Sequence, residues 1–314
     1  MKEGKKGNGP FIESCTANGT GATGSLSASV QPARAGKPPV APLCSFRRAG
    51  LNNFSFSFFP VSHFPFSHMS SIASGSRPSP HLLRQQAAWL AGARARVFRR
   101  VEIARRRRVL DLACGSGAVT GELVRRAGGR VVAVDCSRAA LVADSKPFSG
   151  AVRLCADAIR LPLASGSFDL VFCQFALLWL DAAAALGEVH RVLQPGGVLV
   201  ALEPDYGGLI EHPPQVATRE LWLAALARAG ADPYIGRKLP GLLAATGFHV
   251  RVDLLDRLVP PSAARFDFLR ALPLEEEERQ ELARIEAADR ACRSPASLAH
   301  LPMFLATATK LSPL

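Results

Sequence analysis

Seven short apolar runs constrain the fold more than any other feature of this chain. They read RVLDLA, VVAV, VRLC, FDLVFC and VLVAL between residues 108 and 202, then FHVRVDL and MFLATAT near the end. VVAV, FDLVFC and VLVAL are apolar at four or more consecutive positions, so both faces are meant for burial. Helical stretches separate the first five. Strands buried on both faces and joined through helices predict a parallel α/β sheet with helices on both sides. One of the connecting helices is expected to open at Asp181, to carry Leu186, Val189, Val192 and Leu193 on one face, and to end at Pro195-Gly196-Gly197. Order is expected to begin at Ser79 as a helix cap, with Pro80 as first helical residue.

Composition bounds the rest. The 314 residues include seven cysteines, with no C-x-x-C pair and an odd count, which argues against a disulfide framework or a zinc site and fits a reducing compartment. No apolar run reaches the ~18 residues of a membrane helix, so a cytoplasmic location is expected. The net charge of +12 is local. Residues 1–80 have eight Lys or Arg against two acids, residues 94–108 have eight Arg against one Glu, and the remainder is close to neutral. Residues 1–78 are rich in Gly, Ser and Pro without sustained periodicity, and read as a disordered, low-complexity segment. A transit peptide is one reading of this basic, acid-poor stretch, although no amphipathic helix supports it. A translation start at Met69 is the other.

The first strand runs into DLACGSGAVTG, where Gly115 and Gly117 permit a tight turn and close backbone approach, and the next helix aims its positive end at the same place. The second strand ends at Asp135, 18 residues past Gly117, where a ribose-binding acid is expected. Two cofactor classes use this layout. A dinucleotide turn needs a small residue three positions after the second glycine, but Thr120 stands there. Asp111, inside the strand, would repel a pyrophosphate and suit a cationic ligand. S-adenosylmethionine, with an ammonium, a sulfonium and no phosphate, fits that requirement.

Four stretches in order, VLDLACGSG, VVAVDCSRAAL, CADAIRLPLASGSFDLVFCQFALLWL and EVHRVLQPGGVLVALEP, resemble the class I S-adenosylmethionine-dependent methyltransferases. The resemblance covers roughly residues 82–314 and is nearest to the quinone and small-molecule group. It departs at Ala113, where many members carry glycine. It implies a Rossmann-like, doubly wound, seven-stranded, mostly parallel sheet with an antiparallel last strand and a helical lid. Residues 79–314 then form the methyltransferase domain, with 203–240 and 257–299 as lid insertions on the substrate side; the helix over 274–291 is expected above the ligand edge.

The resemblance also implies roles. Asp111, Gly115 and Gly117 line the methionine moiety; Asp135 binds the ribose, with Cys136 beside it; Asp157, between Ala156 and Ala158, faces the adenine amino group; Gln174 lies near the methyl donor. Bland readings stand beside these. Asp111 can be a turn cap, Asp135 a helix cap and Asp157 a solvated loop acid. Cys114 and Cys136 read as small packing residues, and His190 as structural. Phe175 and Trp179 wall a substrate pocket or belong to the core. After the fifth strand, Asp205, Tyr206 and His212 are candidate acceptor contacts or general bases, or members of a loop with no chemical role. Arg105 to Arg108 precede the first strand at the edge opposite the cofactor, and read as a solvated basic face. The expected activity is methyl transfer from S-adenosylmethionine to a small-molecule acceptor. RNA methylation with docking through Arg105–Arg108, a non-catalytic binding scaffold and an NAD-dependent oxidoreductase are the alternatives.

Overall fold

A computed structural model of the chain describes residues 11–13, 78–255, 262–291 and 297–312. The expectations placed on Met69, on the rest of 1–77 and on Cys15, Cys44 and Cys292 lie outside these. In chain order the elements begin with β1 (Phe11–Glu13), α1 (Pro80–Trp89), α2 (Ala91–Arg100), β2 (Arg108–Leu112), α3 (Thr120–Arg126), β3 (Arg130–Asp135), α4 (Arg138–Ala143), β4 (Ala151–Cys155) and β5 (Phe168–Gln174). There follow α5 (Ala182–Val192), β6 (Leu193–Pro204), β7 (Ile210–His212), α6 (Arg219–Arg228), α7 (Ile235–Ala245) and β8 (Phe248–Leu254). The last are α8 (Ala264–Arg270), α9 (Glu276–Ala291), β9 (Leu298–His300) and β10 (Met303–Lys310).

One sheet takes the order β1-β4-β3-β2-β5-β6-β10-β8, and β7 pairs with β9 separately. From β1 to β6 every pairing is parallel; β10 runs antiparallel to both β6 and β8. The seven strands from β4 to β8 are those expected from the apolar runs. The eighth, Phe11–Glu13 beside Arg153–Cys155, arises in a stretch where the sequence shows no strand pattern. The chain winds outward from β2 to β4, then returns to place β5 on the other side of β2. The carboxyl ends of β2 and β5 therefore flank the switch point, where open α/β sheets bind ligands.

Burial follows the continuous apolar runs. In β2, Val109 packs with Val97, Phe98 and Leu123 on one face, while Leu110 joins Leu186, Val189 and Leu239 on the other. Helix α5 is capped at both ends by side chains. Asp181 Oδ1 accepts from Ala184 N at 3.0 Å, and Lys310 Nζ donates to the carbonyls of His190 and Leu193 at 2.7 and 2.8 Å. His190 is structural, its ring meeting Phe248 edge-on at 5.0 Å. The helix stops at Val192, so Leu193 belongs to β6 and not to the helix face, and Pro195-Gly196-Gly197 does not end it. That tripeptide lies within β6, with Gly196 at φ +73°, beside a register shift against β5.

The arginine segment is less solvated than its composition suggests. Arg106 donates to the carbonyls of Val101 and Asp169, Arg107 to that of Gly128, and Arg108 to the side chain of Gln194. Arg105 pairs with Glu102. These side chains tie down the amino ends of the strands. Arg94 is buried outright and belongs to the site described below. Among the described residues no helix is long and apolar enough to cross a membrane.

Candidate functional site

The turn after β2 takes three left-handed residues in five: Ala113 (φ +52°), Gly115 (φ +55°) and Gly117 (φ +78°). The two glycines serve different ends. A Cβ on Gly117 would lie 2.8 Å from both Pro147 Cβ and Phe148 Cζ, so this glycine lets the turn pack on the 146–148 stretch. A Cβ on Gly115 would meet only Leu83 Cδ1 at 3.9 Å, and that residue borders open space. Ala113 holds a conformation that costs an L-residue about 1 kcal/mol. Ala113→Gly is expected to raise stability by about 1 kcal/mol, read as the midpoint of urea unfolding at unchanged slope; a loss of stability would show that the methyl group packs favourably.

Asp135 organises the turn from the end of β3. Its Oδ2 accepts from Gly115 N and its Oδ1 from Ser137 N, each at 2.8 Å. The cap of α4 is Ser137, whose Oγ accepts from Ala140 N. Asp135 also lines a cavity of about 580 Å³. At this end the wall is formed by Gly115, Ser116, Cys136, Ala156 and Ala158. Ser116 Oγ is buried there without a hydrogen-bond partner among the described residues. Its aromatic lining comes from Trp179, Tyr206, Trp222 and Phe268, and from Phe175, which also borders the space beneath the turn.

A smaller chamber of about 100 Å³ lies beneath the turn, bordered by Asp111 and Gln174. Leu83, Gln86, Ala113, Gly115 and Phe175 border both spaces. Asp111 is 3% exposed and accepts from Thr120 Oγ1 at 2.6 Å. Burial pushes its carboxyl up to about 7; the nearby charge of Asp135 adds to this, while the Thr120 bond and Arg94 oppose it. Arg94, 4% exposed, donates to Gln174 Oε1 at 3.0 Å, to the Ala87 carbonyl at 2.8 Å and to Glu122 Oε2 at 2.5 and 2.8 Å.

Glu203, fully buried at the end of β6, accepts from Ala176 N and Leu177 N at 3.0 Å each. It fixes the turn that carries Leu178 and Trp179. Burial pushes its carboxyl up to about 7 against those N–H bonds. For both acids the folded state holds the proton more tightly than the unfolded chain. Their stabilising effect is complete below their ordinary values of 3.8 and 4.5, and is lost as pH rises through 7.

The structure thus brings Asp111, Gly115, Asp135, Cys136, Ala158, Gln174, Phe175, Trp179 and Tyr206 to the two connected spaces. Gly117 supports the turn from behind. Asp157 accepts from Ile159 N outside the lining, while its neighbours Ala156 and Ala158 form the wall. Asp205 is buried against Arg237 Nε and Nη2 at 2.8 and 2.7 Å, away from the cavity. His212 is exposed in β7, opposite Leu298. Helix α9 stands a layer out, against α8 and the 214–216 turn, so it does not cover the ligand edge. The covering residues come from α1, from α6 and from Phe268 to Pro273. The stretch 203–240 divides accordingly, because α7 packs on the sheet strands β6, β8 and β10.

Sequence reasoning missed Arg94, Glu203, Gln86, Trp222 and Phe268. A signal existed for two of them. Arg94 shares a helix face with Val97 and Phe98, and Glu203 ends an otherwise apolar strand.

A family described as "Methyltransferase domain" matches residues 110–201. A demethylmenaquinone methyltransferase of Thermus thermophilus is 34% identical over 176 residues, covering 48% of this chain and 77% of that protein. The chain belongs to the class I S-adenosylmethionine-dependent methyltransferases. A malonyl-[acyl-carrier protein] O-methyltransferase of Enterobacter lignolyticus is 30% identical over 175 residues, 55% of this methyltransferase and 66% of that one. A demethylmenaquinone methyltransferase of Corynebacterium urealyticum is 40% identical over 111 residues, 35% of this chain and 47% of that protein. The match thus spans about half to two thirds of these two relatives. The YcgJ protein of Bacillus subtilis shares the fold at TM-score 0.50 and 17% identity, over 68% of this chain and 97% of that one. The cofactor of this family is S-adenosylmethionine, and the residues present fit it: a strand-end carboxylate, an unpartnered buried hydroxyl and a bare glycine edge surround a cavity of suitable size.

Proposed function

We propose that this methyltransferase acts on a small, largely apolar acceptor. The observation that carries the reading is one cavity lined both by the polar Asp135 and Ser116 and by five aromatic side chains. The named relatives include methyltransferases of demethylmenaquinone and of malonyl-[acyl-carrier protein]. Bound S-adenosylmethionine supplies a methyl group already activated by its sulfonium. The protein then has to align acceptor and donor and to exclude water. In this reading Asp135 accepts the ribose hydroxyls beside Cys136, and Ala156 to Ala158 border the adenine, with Asp157 as the partner of its amino group. Gly115 and Asp111 receive the methionine end, and Gln174, held by Arg94, lies near the methyl donor. Phe175, Trp179 and Tyr206 wall the acceptor.

Calorimetric titration of the full chain at pH 6 in two buffers of different ionisation enthalpy tests this. Asp111, whose carboxyl sits at about 7, is mostly protonated there. A cation arriving beside it favours the charged form, so S-adenosylmethionine is expected to bind with release of up to one proton. NAD, carrying a pyrophosphate, is not expected to bind. Binding of NAD alone would overturn the reading.

A further inference from the structure

We infer that the arginine-bearing face formed by α2, residues 104–108 and the end of α3 is a docking surface for a nucleic-acid duplex, gripped through its phosphates. The inference does not depend on the acceptor. This face centres on the amino ends of β2 and β3, whereas the cavity opens at their carboxyl ends, beside Ala113 and Asp135. A duplex docked here is held, not methylated. Residues 94–130 contain eleven arginines, no lysine and three acids. Of the acids, Asp111 lies at the cofactor end. Glu122 is taken by Arg94 and Arg126, and Glu102 by Arg105. The face therefore carries a large uncompensated positive charge, a field that draws polyanions.

The fold gathers these arginines. On α2, Arg96, Arg99 and Arg100 stand at i, i+3 and i+4 and share an exposed face, while Arg94, Val97 and Phe98 are buried. Arg105 and Arg107 follow, exposed, on the way into β2. Gly128 and Gly129 bring the chain after α3 onto that stretch. A Cβ on Gly128 would lie 2.0 Å from the Ala104 carbonyl oxygen, and one on Gly129 2.2 Å from that of Arg107. Arg107 Nη1 donates to the Gly128 carbonyl at 2.6 Å. The exposed Arg125 and Arg126 are thus carried to the same edge. Arg99 and Arg125 have no acidic partner among the described residues. Complementing the dipoles of α2 and α3 accounts for Arg99, Arg100, Arg125 and Arg126 in the last turns. It does not account for Arg96, Arg105 and Arg107. The chemistry selects the partner. A guanidinium fork matches two phosphate oxygens at once. A membrane-binding face couples its cations to apolar side chains, and a single-strand face stacks bases on aromatic ones. Residues 91–130 are all described; none of their large apolar side chains is exposed, and their one aromatic, Phe98, is fully buried. Phosphate contact remains, and it positions a duplex without reading its sequence.

The test follows the full chain binding to a fluorescently labelled RNA duplex of about 20 base pairs, by anisotropy, from about 50 to 200 mM salt. Contact with about four phosphates gives a slope of about −3.6 in log K against log salt, so affinity is expected to fall about 100-fold over that range. A DNA duplex of the same length is expected to bind comparably, because backbone contact does not read bases. Arg99→Gln with Arg125→Gln is expected to make the slope shallower by about 1.8, ~0.9 for each arginine removed. Thermal unfolding and S-adenosylmethionine affinity are expected to stay as they were. No duplex binding at the lowest salt would overturn the inference. So would an unchanged slope in the double variant, which would assign the binding to other cations, such as those of residues 1–77. Tighter binding to phosphatidylserine vesicles than to either duplex would also overturn it, because the face would then be a lipid dock.

Discussion

Asp135→Asn lowers the affinity for S-adenosylmethionine by about 100-fold while the chain stays folded. The carboxylate accepts from Gly115 N on one oxygen and Ser137 N on the other. An amide keeps one acceptor and turns an NH₂ toward the second donor, so one end of the turn loses its anchor. In the proposed reading the ribose hydroxyls lose a charged acceptor as well. Hydrogen bonds to charged groups contribute about 1.5–3 kcal/mol each, and ~3 kcal/mol of lost binding is the expected total. Titration calorimetry reads the affinity, and thermal unfolding of the free protein shows whether the fold survives. Unchanged affinity in a folded variant would mean that Asp135 serves the turn alone.

The largest stability effect is expected at Arg94. Its guanidinium joins α2 to Ala87 of α1, to Glu122 of α3 and to Gln174 of β5. Arg94→Ala removes the donor from three acceptors in a closed space, and cutting one partner from a buried ion pair costs about 3–5 kcal/mol. The lower part of that range is expected, because Glu122 keeps Arg126 at 2.8 Å. Lysine does not restore the loss, since one ammonium cannot reproduce the fork. Urea unfolding measures the effect. Arg94→Met with Glu122→Gln is expected to lose less than the two single changes together, because they share one interaction. A cost for Arg94→Ala below about 1 kcal/mol, the level of an exposed pair, would sink this account.

These two residues also mark what the sequence does and does not reveal. Asp135 is legible because it ends an apolar strand at a fixed distance from a glycine turn, and a local pattern of this kind dictates local geometry. Arg94 is submerged in a run of eight arginines, and only its helical phase with Val97 and Phe98 separates it from the exposed ones. The seven strands and the capped helix α5 follow from periodicity. The edge strand at Phe11–Glu13 does not, because three residues carry no period and only the open side of β4 selects them. The aromatic wall is hidden for a related reason. Trp222 and Phe268 lie on α6 and α8, far apart in sequence from Phe175, and no spacing rule links them. Asp205 and His212 looked eligible by residue type alone; an ion pair with Arg237 and a strand pairing account for their places.

The cavity's two ends differ in how freely they can change over generations. The polar end is built from strand termini and a backbone turn, where Asp135, Gly115 and Gly117 leave little room for substitution. The aromatic wall is completed by side chains such as Leu226, Phe268 and Leu272, which come from α6 and from α8 and the residues after it, not from the strand termini. In the proposed reading, exchanges there reshape the acceptor's room without disturbing the donor's berth, since well-separated substitutions act independently. A lineage with this architecture can change what it methylates while keeping what it methylates with.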